Sequence, residues 1–133
     1  MKNFRHLITI LILSLMANMS SYADARLQVI HNSSDNAAQT VDIWLDNTLL
    51  LDNFQFRTAS PFIDAPSGVD FTISVKGPDS QMSDDPIWSR EYNLEDNKTY
   101  VLIANGMVSE QGYNPNIPFD IYVYDMGREE SLV

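Results

Sequence analysis

The chain has 133 residues, 8 Lys plus Arg against 18 Asp plus Glu, a formal charge of −10 and no cysteine. That is material for a single domain, and 44% hydrophobic with 11% aromatic residues is enough apolar mass to exclude intrinsic disorder. The acidic balance excludes nucleic-acid binding, which needs cations to neutralise phosphates, and docking on an anionic membrane surface.

Residues 1–23 read as a signal peptide rather than as part of the fold. Lys2 and Arg5 form a positive start, and Leu7 to Met16 is apolar except for Thr9 and Ser14. Ser21-Tyr22-Ala23 then places small residues at −3 and −1 of a cut after Ala23. The apolar run is too short to span a bilayer comfortably, which is the pattern of a cleaved signal helix. Cleavage removes two basic residues and no acid, so the charge moves from −10 to −12. Residues 24–133 form the mature domain, with no membrane insertion after cleavage. An exported chain without disulfides relies on its core, which fits a periplasmic or extracellular bacterial protein.

From residue 24 onward the period is two. Leu27, Val29 and His31 share one strand face, opposite Gln28, Ile30 and Asn32. Val41, Ile43 and Leu45 alternate with Asp42, Trp44 and Asp46, and Asp46-Asn47 turns into a returning strand over 48–51. Phe54, Phe56 and Pro61-Phe62-Ile63 suggest a further short strand or two, and Ala65-Pro66-Ser67-Gly68 suggests a turn. Phe71, Ile73 and Val75 alternate with Asp70, Thr72 and Ser74; residues 76–86 read as a loop. Strands follow at Ile87–Asn93 and Tyr100–Ala104, then a long loop over Gly106–Pro118 and a last strand from Phe119 to Tyr124. Seven to nine short strands with regular turns make an all-β, antiparallel, immunoglobulin-like sandwich. Leu94 to Tyr100 has the layout of a tyrosine corner, with Tyr100 bonding back to the preceding turn.

Few residues in the mature chain suggest chemistry. His31 is its single histidine, so neither a Cys nucleophile nor a multi-histidine metal site can be built. No Gly-x-Ser-x-Gly elbow or phosphate-binding glycine loop is present. His31 reads as a partly buried strand-end residue, satisfied by a carboxylate such as Asp42; a hydrolase using His31 is the remote alternative. Calcium suits the oxygen ligands of Asp35 with Asn36 in one loop and Asp79, Asp84 and Asp85 in another. With no EF-hand spacing, those side chains are expected to be solvated loop acids, and no cofactor is expected. Trp44 alternates away from its apolar neighbours, so it is either an exposed aromatic or the cover of a second small cluster.

Together, Arg26 to Asp35, with its His31-x-Ser33-x-Asp35 ending, and Val41-Asp42-Ile43-Trp44-Leu45 resemble the opening of the DUF4397 family. The resemblance continues through Phe56 to Phe62, Ala65 to Gly68 and Leu94 to Ala104. It implies an exported β-sandwich of undetermined biochemical role, often present in tandem copies. His31, Asp35 and Asp42 fall on its most recognisable positions, with no catalytic or ligand role attached. Ser34 stands where the family often has Pro. The functional expectation is a non-catalytic module that binds a protein or cell-surface polymer; the alternative is a calcium- or carbohydrate-binding module.

Overall fold

The computed structural model describes residues 24–129, so the expected signal peptide over 1–23 lies outside the described residues. Its strands are β1 (Asp24–His31), β2 (Thr40–Leu45), β3 (Thr48–Gln55), β4 (Ile63–Pro66), β5 (Asp70–Lys76), β6 (Trp88–Asn93), β7 (Thr99–Asn105) and β8 (Asp120–Tyr124). They form two four-stranded sheets: sheet A in the order β4-β1-β7-β8 and sheet B in the order β3-β2-β5-β6. The expected sandwich is present. Neighbouring strands are antiparallel except β1 and β7, which run parallel from Arg26 opposite Thr99 to His31 opposite Ala104.

The alternation read from the sequence explains the layers. Leu27 and Val29 of β1, Leu102 of β7 and Ile121 of β8 point inward from sheet A. Ile43 of β2 and Phe71, Ile73 and Val75 of β5 meet them from sheet B, and all are almost wholly removed from water. Tyr100 closes one end as a tyrosine corner, its hydroxyl accepting a hydrogen bond from the Glu95 N–H at 3.0 Å.

Two local expectations shift. Phe54 does not begin a new strand: β3 continues through it, past a left-handed Asn53 (φ 49°), and Phe56 falls in the following turn. Ala65 and Pro66 belong to β4, so the turn contracts to Ser67-Gly68, where Gly68 takes φ 67°.

Trp44 is not exposed. Loop 77–87 folds back over the outer face of sheet B and leaves Trp44 only 7% accessible. The indole Nε1–H donates to Ser80 Oγ at 2.9 Å, and Lys76 Nζ sits 4.9 Å from the ring centre. Lys76 in turn donates to the carbonyls of Gln81 (3.1 Å) and Met82 (2.8 Å), fixing the loop. This is the second small cluster that Trp44 covers.

Candidate functional site

The burial pattern of β1 runs on past the end of the strand at His31. His31, Ser33 and Asp35 all point inward at every second position, and none is more than 1% exposed. Each ties down a different segment. The His31 ring lies 5.9 Å from Phe54 and 6.0 Å from Phe56. Its Nδ1 accepts from the Ser33 N–H at 3.3 Å, which leaves Nε2 to donate to the Ala38 carbonyl at 2.7 Å. The expected Asp42 partner is therefore wrong. Asp42 lies on the outer face of its strand, whereas His31 faces the interior.

Ser33 Oγ donates to the Gly106 carbonyl at 2.7 Å. Asp35 holds the long loop that follows β7. Its carboxylate accepts from the Ser109 N–H (2.7 Å), the Ala37 N–H (2.9 Å), the Ser109 hydroxyl (3.0 Å) and the Tyr113 hydroxyl (3.1 Å). Tyr113 Oη also accepts from the Asn36 N–H at 3.0 Å. Burial works against ionisation of Asp35, but these four donors outweigh it and hold the carboxyl below its usual range.

Asp42 repeats the arrangement on the other side. It accepts from the Asn53 N–H (2.8 Å), the Ser80 N–H (2.7 Å) and the Ser80 hydroxyl (2.7 Å), and is fully buried. Burial again opposes the charge, the three donors overcome it, and its pKa is lowered. Ser33, Ser80, Ser109 and Tyr113 are the partners that residue type alone did not single out; only Ser33 has a signal, the period-2 continuation from His31 to Asp35.

The acids considered for calcium are not brought together. Asp35 is saturated by its four donors and is not a solvated loop acid, while Asn36 is exposed beside it. Asp79 accepts from Asn53 Nδ2 at 3.0 Å, Asp84 from the Gln81 N–H at 2.8 Å, and Asp85 is exposed. Among the described residues no group of three His, Asp or Glu side chains is disposed to hold a metal ion.

Burial has a pH consequence. Desolvation lowers the His31 pKa, and the Ala38 carbonyl bond only partly offsets it. The unfolded chain therefore binds a proton on His31 at a higher pH than the folded chain does. Stability from neutral His31 is full above the unfolded value of about 6.5 and falls as pH drops below it. The two lowered carboxylates add a second loss below about pH 4. Urea midpoints measured from pH 8 to pH 3 should show both limbs, and His31→Gln should flatten the first while leaving the second.

Among the described residues, only the tail at Gly127 and Glu129 crosses the outer face of sheet A, at its Arg26–Thr99 end. Ile30, Val101, Ile103, Tyr122 and Tyr124 alternate with the buried inner residues of β1, β7 and β8, and the register sets them in rows. One row is Ile30–Ile103–Tyr122 and the next is Gln28–Val101–Tyr124. Tyr122 and Tyr124 are each 53% exposed. Much of the rim charge is paired: Arg26 with Asp64 and Glu129, Lys98 with Glu95 and Asp125, and Arg90 with Asp120.

Fold and site together define an immunoglobulin-like β-sandwich module with a buried His-x-Ser-x-Asp latch at one end. The chain belongs to the DUF4397 family: the model of this domain of unknown function matches residues 25–121. No curated protein matches the chain.

Proposed function

We propose that this protein is an exported, non-catalytic module that binds a protein or polymer at the cell surface through the outer face of sheet A. The observation that carries the reading is the uncharged pair of rows on that face, where the exposed Tyr122 and Tyr124 stand beside the half-buried Ile30, Val101 and Ile103. The residues with chemical potential support it from the other direction. His31, Asp35 and Asp42 are enclosed by hydrogen bonds inside the fold, so none presents a base, nucleophile or ligand to solvent. Export rests on the pattern of residues 1–23.

The test is retention on cells. Mature protein added to washed producing cells should stay bound, and Tyr122→Ser combined with Tyr124→Ser should wash off with an unchanged melting temperature. Equal retention of the double variant would remove this face from the function. Hydrolytic turnover that vanishes in His31→Gln would replace the reading with an enzymatic one.

A further inference from the structure

We infer that the outer face of sheet A is self-complementary and that its occupant is a second copy of this chain, packed face to face about a two-fold axis lying over β7. The inference rests on reading this face as the binding surface, and it names what is bound there.

Three features of the face lead to it. The first is relief. Tyr122 and Tyr124 on β8 stand out from the sheet, each 53% exposed, whereas Ile30 and Gln28 on β1 are half-buried. The face is therefore tall on its β8 side and low on its β1 side, with Val101 and Ile103 of β7 between. A two-fold rotation about the strand direction over β7 sets tall against low in both halves at once. Tyr122 then covers Ile30 of the other copy, Tyr124 covers Gln28, and Ile103 meets itself, with Val101 beside it against Gly127 of its own tail. The register supplies these rows without adjustment, since Ile30, Ile103 and Tyr122 are directly paired across the sheet, as are Gln28, Val101 and Tyr124.

The second is charge. A chain of net charge −10 repels its own copies except across a surface that the excess avoids. The two rows contain no charged residue, and most rim charges are ion-paired within the copy, Asp24 and Arg128 standing outside those pairs among the described residues. Asp46, Asp52, Asp70, Asp79, Asp84 and Glu91, which form no ion pair among the described residues, sit on sheet B or its connections, so the face-to-face arrangement turns them outward. On sheet B the loop 77–87 covers the outer face around Trp44, while Ser89, Glu91 and Asn93 of β6 stay exposed and make the rest of that face polar.

The third is size. Four strands about 4.8 Å apart, with residues rising about 3.3 Å each, make a face of roughly 19 by 20 Å. That is near half of the roughly 800 Å² per partner in a standard interface, so the pair is weak and reversible. Gly127 closes one end of the face: its N–H donates to the Thr99 carbonyl at 2.9 Å, and a Cβ there would meet Val101 at 3.2 Å.

The experiment is sedimentation equilibrium of mature protein from about 5 to about 500 µM, a range that brackets a weak contact, with site-specific crosslinking alongside. The mass should rise from one protomer toward two, and Ile103→Asp should hold it at one with the fold intact. Because the chain has no cysteine, Ile103→Cys alone should form a disulfide-linked dimer. A mixture of Tyr122→Cys and Ile30→Cys should link to each other faster than either links to itself. Thr72→Cys, on the outer face of sheet B, should not crosslink. A single protomer at every concentration overturns the inference, as does Ile103→Cys crosslinking no faster than Thr72→Cys. Retention on cells that lack this chain, by a protein that stays monomeric, overturns it while leaving the binding face standing. A dimer that no cell retains supports it and instead removes the cell-surface role.

Discussion

Replacing Asp35 by alanine is expected to destabilise the fold by about 3 kcal/mol or more, lowering the melting temperature by about 12 °C at roughly 4 °C per kcal/mol for a domain of this size. The carboxylate accepts from two backbone N–H groups and two hydroxyls. Its removal leaves the Ser109 N–H facing a dry site, at about 1–3 kcal/mol for an unmet buried donor, and frees the Tyr113 and Ser109 hydroxyls to seek water. Asp35→Asn keeps an acceptor but turns an NH₂ group toward one of those donors, so about half of the loss should remain. Hydrogen exchange locates the damage: the Ser109 amide should lose protection while the amides of β5 keep theirs. An unchanged melting temperature in Asp35→Ala would show that the long loop is held by something else.

Gly106→Ala should have an effect of similar size by a different route. Gly106 sits at φ 88°, where an L side chain is strained, and a Cβ built there comes 2.4 Å from the Pro118 carbonyl oxygen and 2.9 Å from that of Ile117. Those carbonyls cannot retreat easily. The Met107 N–H donates to Ile117 at 2.7 Å, and the Phe119 N–H donates to Met107 at 2.9 Å, so the two ends of the loop are tied together. A loss of about 3 kcal/mol is expected from strain and displacement together. Gly112→Ala is the control, because Gly112 shares the positive φ (98°) but has nothing within 4 Å of the added methyl. It should cost about 1–2 kcal/mol, the strain alone. Thermal melts of the two variants separate steric contact from backbone strain, and equal losses would refute the contact.

The strands were legible because one layer of water-facing and one layer of core-facing residues leave a period of two in the sequence. What covers the far side of a strand leaves no such trace. Trp44 does point away from Ile43, as its alternation indicates, yet it is buried because a loop more than thirty residues later bonds to it through Ser80. The His31 partner illustrates the same limit. Alternation puts His31 on an inner face and Asp42 on an outer one, so facing sheets cannot bring them together, and the ring turns to a nearby carbonyl instead. Strand direction was hidden for a further reason: apolar spacing is the same whichever way a neighbour runs, so the parallel pairing of β1 with β7 could not be read. The role of Asp35 was half visible. Its spacing from His31 and Ser33 continues the inward phase of the strand, but the donors that make a buried anion tolerable lie 74 and 78 residues away.

That parallel pairing also bears on how the chain comes to be folded. β1 occupies an interior place in sheet A, yet the strand on one of its sides is 73 residues further along. β1 can pair with β4 early, but its other edge waits for β7 before its hydrogen bonds close. Closure across so long a span is entropically expensive and slow. Under the export proposed above, this ordering keeps sheet A from locking before β7 has crossed.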